Sequence, residues 1–399
     1  MLVILTSHPI QYQTPLWKAL AQESSIPFEV CFLSDHAIKP TYDSEFDHTF
    51  AWDIPMLEDF PHHLLNTRHN PSSPSFLKTT LPPDFSHYLL SKKATHLWVH
   101  GWNTLAHWQA IHTAHRYRLK IWLSSESPYS PHQPIIKSII KKFTLTPLFK
   151  KIDLFLAIGS ANRAFYKSFH IPDSKIHPLP YSVDNLRFHQ QATELRPHRP
   201  HIRKQWNIPT ESFVLLFCGK LIPKKRPHDL IQAAYLYAQK KLSPPLHLLF
   251  VGSGTLENSL KLSTSVCFDY RPNSCPSTER PHASFAGFIN QSTIAQAYVA
   301  ADALVLPSDA RETWGLVVNE ANACGCPAII SNQCGCAPDL SKIFPNLTYP
   351  CGNIESLVQA IHKLTQIRHD PEALHLSLQN LGHHIPNLVS QINTIYRSA

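Results

Sequence analysis

The chain has 399 residues, 43% of them apolar and 16% charged, the balance of a globular protein able to bury sizeable cores and too long for one ordinary domain. A net charge of +8 points to an anionic partner. With no basic run interleaved with aromatics, it sets nucleic acid aside in favour of phosphorylated small molecules or an acidic lipid surface.

Residues 1–6 (MLVILT) read as a first strand and not as a signal peptide, because no basic segment precedes the apolar one. The following SHPIQYQTPLWKALAQE turns into a helix. Gln11 and Gln13 stand as polar groups at the C-terminal end of that strand, where doubly wound sheets bind ligands, and an ordinary N-terminal turn accounts for them equally well. A second strand spans 28–33. Between 39 and 83 prolines and aromatics predict long loops with a few short strands, expected to shape an acceptor side. Strand 96–100, helix 104–117 and strand 120–124 repeat a βαβ rhythm.

Residues 134–151 carry apolar side chains at 135, 136, 139, 140 and 143 and lysines at 137, 141 and 142, a helical spacing. Two readings stand: a surface helix that packs its stripe on the core, or a membrane-surface helix that docks on anionic lipid and brings a lipid-linked acceptor to the site. Strand 152–158, helix 161–169 and strand 175–179 follow. A polar, proline-bearing stretch over 189–209 then predicts a domain boundary near residue 190.

The second half opens with strand 213–217 and Cys218-Gly219-Lys220-Leu221-Ile222-Pro223-Lys224-Lys225. Helix 229–240 and strand 247–251 come next, then a proline- and serine-rich loop over 267–282 and a strand and turn over 283–288. The most informative stretch is 306–340, read as strand, acidic loop, helix, turn and second strand. Pro307 ends the strand, Gly315 opens a helix, Gly325 caps it in a left-handed conformation and Pro327 cannot continue it. Glu312 then lies on the loop and Glu320 a little over one turn into the helix. Backbone N–H groups at Gly315 favour a phosphate. Helix 355–367 closes the pattern.

Nine cysteines, an odd number in so long a chain, argue against a disulfide framework. No apolar run is long enough to span a bilayer, so the expected location is cytoplasmic, at most peripheral on the inner face of a membrane. Cys324-x-Cys326 and Cys334-x-Cys336 invite a zinc reading. The first pair, however, straddles a helix-capping glycine and leads into a strand, where convergence on one ion is difficult. The 26 histidines are spread without ligand spacing, and no metal or other cofactor is expected.

Ser308, Glu312, Trp314-Gly315-Leu316-Val317, Glu320-Ala321, Cys324-Gly325, Pro327 and Gly335 resemble, in order, the signature of the family-four retaining glycosyltransferases. That resemblance implies the GT-B fold, an α/β architecture of two Rossmann-like domains facing a cleft. Residues 1–189 would bind the acceptor and 190–380 the nucleotide sugar, while 381–399 would cross back to the first domain. It assigns Glu312 to the donor sugar and Glu320 to the ribose. The donor diphosphate falls to Lys220, which stands where arginine is usual, and to Lys225, with Gly219 and Gly315 beside them. Phe288 and Ile289 would hold the base through backbone groups, and His100 and Glu126 would reach the acceptor.

The activity implied is transfer of a sugar, with retention of configuration, from a nucleoside-diphosphate sugar to a sugar, lipid-linked or other hydroxyl acceptor in polysaccharide or other glycoconjugate biosynthesis. No Asp-x-Asp pair of the kind metal-dependent transferases use is found, so a metal-independent reaction is expected. A sugar-nucleotide epimerase, a sugar phosphorylase and a non-catalytic sugar-nucleotide-binding protein share the fold and stand as alternatives.

Overall fold

Strands that read as unbroken apolar runs belong in parallel sheets covered on both faces, and the chain builds two of these. The computed structural model describes residues 1–36, 38–43, 45, 46, 48–65, 76–128, 135–271 and 280–398. Two compact units share them: Met1–Thr41, Phe50–Tyr181 and Ile385–Ala399 form the first, and Tyr42–Thr49 with Ser182–His384 the second.

In the first half of the chain the strands are β1 (Leu2–Thr6), β2 (Phe28–Phe32), β3 (Thr41–Asp43), β4 (His48–Phe50), β5 (His62–Leu64), β6 (His96–His100), β7 (Lys120–Ser124), β8 (Leu154–Ala157) and β9 (Ile176–Pro178). Seven of them form one sheet in the order β5-β2-β1-β6-β7-β8-β9, all neighbours parallel, while β3 and β4 pair separately. The helices of this half are α1 (Thr14–Glu23), α2 (Phe85–Ser91), α3 (Leu105–Arg116), α4 (Ile135–Phe149) and α5 (Ser160–Lys167). Side chains alternate along β1, so Val3 and Leu5 join the core under α2, α3 and α5, while Leu2 and Ile4 face α1.

The second unit contains α6 (Asn185–Leu195), α7 (Arg199–Gln205), α8 (His228–Gln239), α9 (Glu257–Leu262), α10 (Ala295–Ala300), α11 (Val317–Ala323), α12 (Ala337–Leu340), α13 (Ile354–Thr365) and α14 (Pro371–Asn380). Its strands are β10 (Phe213–Cys218), β11 (Leu246–Val251), β12 (Ser265–Asp269), β13 (His282–Gly287), β14 (Ala303–Leu306), β15 (Ala328–Ser331) and β16 (Leu347–Tyr349). They run parallel in the order β12-β13-β11-β10-β14-β15-β16. In both sheets the order reverses beside the first strand, the arrangement that opens a ligand site at the C-terminal strand ends.

The chain enters the second unit at Ser182, ahead of residue 190, because Ser182 and Asn185 already donate hydrogen bonds to the carbonyl of His383. It leaves after His384, and α15 (Ile385–Ser398) lays Leu388, Val389, Ile392 and Ile395 into the core that holds Leu16, Trp17 and Leu20 of α1.

The apolar stripe of α4 does not pack on the core. Ile136, Ile139, Ile140 and Phe143 are exposed, Phe143 to 82%, and the helix anchors instead through Leu145, Leu148 and Phe149 of its last turns. Lys141 lies over the rings of Phe165 and Trp102, at 4.5 and 5.3 Å from their centroids. The side chain of Lys137, the ten residues 66–75 of the first long loop and residues 272–279 of the 267–282 loop lie outside the described residues.

Candidate active site

The centre of the second unit is the loop from β14 to α11. Pro307 ends β14, and the loop turns back on itself through Gly315 at φ +107°, a left-handed conformation that a side chain rarely tolerates. A Cβ there would also meet Leu306 Cδ2 at 2.5 Å. Gly335 braces the loop from the next crossover: its N–H donates to the Glu312 carbonyl at 3.1 Å, and a Cβ on it would sit 1.9 Å from the Thr313 carbonyl oxygen. These two glycines therefore fix the backbone that carries Glu312.

The Glu312 carboxylate accepts from Lys225, and from the Ser308 hydroxyl at 3.1 Å. Both members of the ion pair are largely buried, so each is the other's main source of charge compensation. Lys225 is presented by a single turn at Pro223–Lys225 that follows β10.

Glu320 is more deeply set than its expected place on a helix suggests. α11 begins at Val317, not at Gly315, so Glu320 falls in the first turn and is 1% exposed. Its carboxylate takes hydrogen bonds from the Tyr298 hydroxyl at 2.5 Å and from Gln291 Nε2 at 3.1 Å. The Gln291 amide is oriented by Arg187, whose guanidinium donates to Oε1 at 2.9 Å and to the backbone carbonyl at 2.7 Å. Arg187, Gln291 and Tyr298 were not singled out in the sequence, since each is a polar residue on an otherwise unremarkable helix or turn. α11 is seven residues long and starts beyond Gly315.

Lys220 and Lys225 take different partners. Lys220 donates to both carboxylate oxygens of Asp43, at 2.9 and 3.1 Å, and to Glu45 at 2.8 Å, while Lys224 also reaches Glu45. The 42–49 segment sits on the second unit in other ways too: Ser253 donates to the Phe46 carbonyl at 2.6 Å, and the Phe46 ring meets Phe288 edge-on at 5.4 Å. The sequence signal is an acidic pair flanked by Tyr42 and Phe46, inside a stretch that reads as long loops with a few short strands. Gly219 lies just ahead of Lys220 at φ +139°, with its N–H on the Val251 carbonyl. Ile289 follows Phe288 at the end of β13.

His100 and Glu126 stand at the C-terminal ends of β6 and β7 in the first unit. They are joined through intermediaries: Tyr181 donates to Glu126, and His100 Nδ1 lies 3.3 Å from Gln13 Nε2. Burial holds the imidazole pKa of His100 down to about 3, so the ring is neutral.

The four cysteines of the central stretch pack separately. Cys324 lies by the Phe188 carbonyl, Cys326 by that of Pro327 and Cys334 by that of Ser308, and Cys336 is buried beneath the glycine loop. Burial pushes all four thiols up, which keeps them protonated.

Residues 212–366 match the family described as Glycosyl transferases group 1. The D-inositol 3-phosphate glycosyltransferase 1 of Catenulispora acidiphila is 35% identical over 33% of this chain and 30% of its own length. An Escherichia coli UDP-Gal:alpha-D-GlcNAc-diphosphoundecaprenol alpha-1,3-galactosyltransferase is 26% identical over 55% of this chain and 52% of its own. The chain thus spans between about a third and about half of the curated relatives it matches. Among solved structures, Anabaena Alr3699/HepE in complex with UDP aligns over 100% of both chains with a TM-score of 0.68 at 16% identity, a likeness of fold. WaaG, a glycosyltransferase involved in lipopolysaccharide biosynthesis, aligns over 99% of each with a TM-score of 0.60 at 13% identity. Two seven-stranded parallel sheets flanked by helices give the chain the GT-B fold of these solved structures, and the stretch over 212–366 that is similar to the group 1 glycosyl transferases contains the loop that carries Glu312 and Glu320.

Proposed function

We propose that the protein is a retaining glycosyltransferase that moves a sugar from a nucleoside-diphosphate sugar to an acceptor hydroxyl, in the synthesis of a cell-envelope polysaccharide or other glycoconjugate. The observation that carries this reading is the buried pairing of Lys225 with Glu312, on a loop braced by two glycines and one short helix turn away from Glu320.

In this reading the donor diphosphate lies against Lys225 and Lys220. As the glycosidic bond breaks, negative charge grows on the departing diphosphate, and fixed ammonium groups stabilise it in the place a metal ion takes in other transferases. Glu312 accepts a hydroxyl of the donor sugar while Lys225 keeps its carboxylate oriented. Glu320 takes a ribose hydroxyl on a carboxylate that Tyr298 and Gln291 hold in place. The backbone at Phe288 and Ile289 holds the base. Retention follows from attack on the face the diphosphate leaves, with a donor phosphate oxygen taking the acceptor proton. The Escherichia coli relative is named for a UDP-linked donor, and an Anabaena structure of the same fold holds UDP and glucose, which makes a uridine diphosphate sugar the first donor to try. A thermal-shift panel of UDP, GDP, ADP and their glucose, galactose and mannose derivatives tests the reading, because a ligand of the native state raises the melting temperature.

We also infer that α4 seats the first unit on an anionic lipid surface. Four large apolar side chains are exposed on its first turns, next to the exposed Lys142, on a chain of net charge +8. Apolar burial and attraction to acidic headgroups act together on such a face. A lipid-linked acceptor would reach the site from that surface.

A further inference from the structure

The polar side chains at the ends of β1, β6 and β7 form one directed chain of hydrogen bonds. Tyr181 gives its hydroxyl proton to the Glu126 carboxylate. Its oxygen can then only accept, and the side chain that meets it is Gln13, so the Gln13 amide nitrogen is the donor. The same nitrogen lies 3.3 Å from His100 Nδ1, while Gln13 Oε1 takes the Thr6 hydroxyl at 3.4 Å. Both amide hydrogens are thereby committed, and the amide cannot turn over without breaking three contacts.

Gln13 is itself buried and held in place as the residue that opens α1, where its carbonyl accepts from Trp17. A donor facing Nδ1 makes that atom an acceptor. A neutral imidazole with an accepting Nδ1 carries its proton on Nε2. The Nε2 atom is out of contact with solvent and has no hydrogen-bond partner among the described residues. A buried N–H left in that state is destabilising, and this one stands at the strand ends where parallel sheets receive their ligands.

We propose that Gln13 is a positioning residue that fixes His100 as a hydrogen-bond donor, through Nε2–H, to an oxygen of the bound sugar substrate. The role as donor to a substrate rests on the transferase reading; the tautomer does not. The proposal also removes His100 as the base that deprotonates the acceptor, because that step needs a lone pair on Nε2. It agrees with a donor phosphate oxygen taking the proton.

Long-range ¹H–¹⁵N correlation spectra of the full-length protein labelled at histidine test the tautomer at pH 7. Wild type should give His100 as the neutral ring with the proton on Nε2. In Gln13→Glu a carboxylate replaces the donor, so the proton should move to Nδ1 or the ring become cationic. Gln13→Leu, which neither donates nor accepts, should give a mixture, and it serves if the glutamate variant does not fold. Wild-type His100 protonated on Nδ1, or a His100 signal unchanged in folded Gln13→Glu, overturns the proposal. Release of UDP from UDP-glucose by the same samples separates the two layers. Wild type that turns over while folded Gln13→Glu loses tenfold or more supports the positioning role, and equal rates overturn it. Wild-type failure with every donor of the panel counts against the transferase reading, while the spectra still decide the tautomer.

Discussion

Lys220 holds its ammonium 2.9 and 3.1 Å from the two carboxylate oxygens of Asp43, within the same unit as the Glu312 loop. With Glu45 at 2.8 Å, the cation assigned to the donor diphosphate already has two anionic partners from its own chain. A diphosphate that takes Lys220 has to displace them. The double variant Asp43→Asn with Glu45→Gln should therefore bind UDP about tenfold more tightly, a change of about 1.4 kcal/mol, with uridine binding unaltered. Isothermal titration of both ligands checks this, and unchanged or weaker UDP binding contradicts the competition.

Gly335 is where packing leaves least room. A methyl group 1.9 Å from the Thr313 carbonyl forces the crossover away from the Glu312 loop. Gly335→Ala should lower stability by about 1–3 kcal/mol, the usual range for overpacking, and weaken UDP binding as well. Urea unfolding and titration of the same sample measure both effects. A variant with wild-type stability would mean that the loop yields freely.

Stability should fall on mild acidification. His107 and His247 are buried, and burial lowers the pKa of each from 6.5 to about 4. Above pH 6.5 folded and unfolded chains are both neutral at these rings. As the pH drops from 6.5 towards 4 the unfolded chain takes up protons that the folded one refuses, so stability is lost across that window and levels off below it. By pH 5 each ring accounts for about 2 kcal/mol. Urea midpoints at pH 7 and pH 5 should differ accordingly, and His247→Gln should shrink the difference. A midpoint independent of pH would show that these rings titrate normally.

The exposed face of α4 carries its own test. Ile139→Glu with Phe143→Glu should leave the melting temperature near wild type, since both side chains are exposed. It should abolish co-sedimentation with vesicles of acidic phospholipid, and Lys142→Glu should weaken it. Wild type that stays in the supernatant with such vesicles, or variants that still pellet, would rule out the lipid surface.

How much of this could be read from the sequence depended on whether a feature is local. Strands such as β10, β11 and β14 are continuous apolar runs, and the glycines and prolines of 307–335 mark their own turns, so the second unit's framework was legible. The short helices α2, α9 and α10 and the strand β12 were not, being too brief for periodicity to register. The α4 stripe had the right spacing for a core helix, yet spacing does not say which side the rest of the chain covers. Long-range polar contacts were the least legible. Nothing near Asp43 in the sequence announces Lys220, and nothing near Gln291 announces Glu320.

The most direct test of the central claim is release of nucleoside diphosphate by the purified protein from the donor that the thermal-shift panel selects, with wild type and Glu312→Ala compared side by side. Wild type should release it, faster when an acceptor is supplied, and Glu312→Ala should lose at least a hundredfold with its fold intact by circular dichroism, comparable to removing one electrostatic contact of the transition state. Glu312→Ala that turns over at the wild-type rate would contradict the claim.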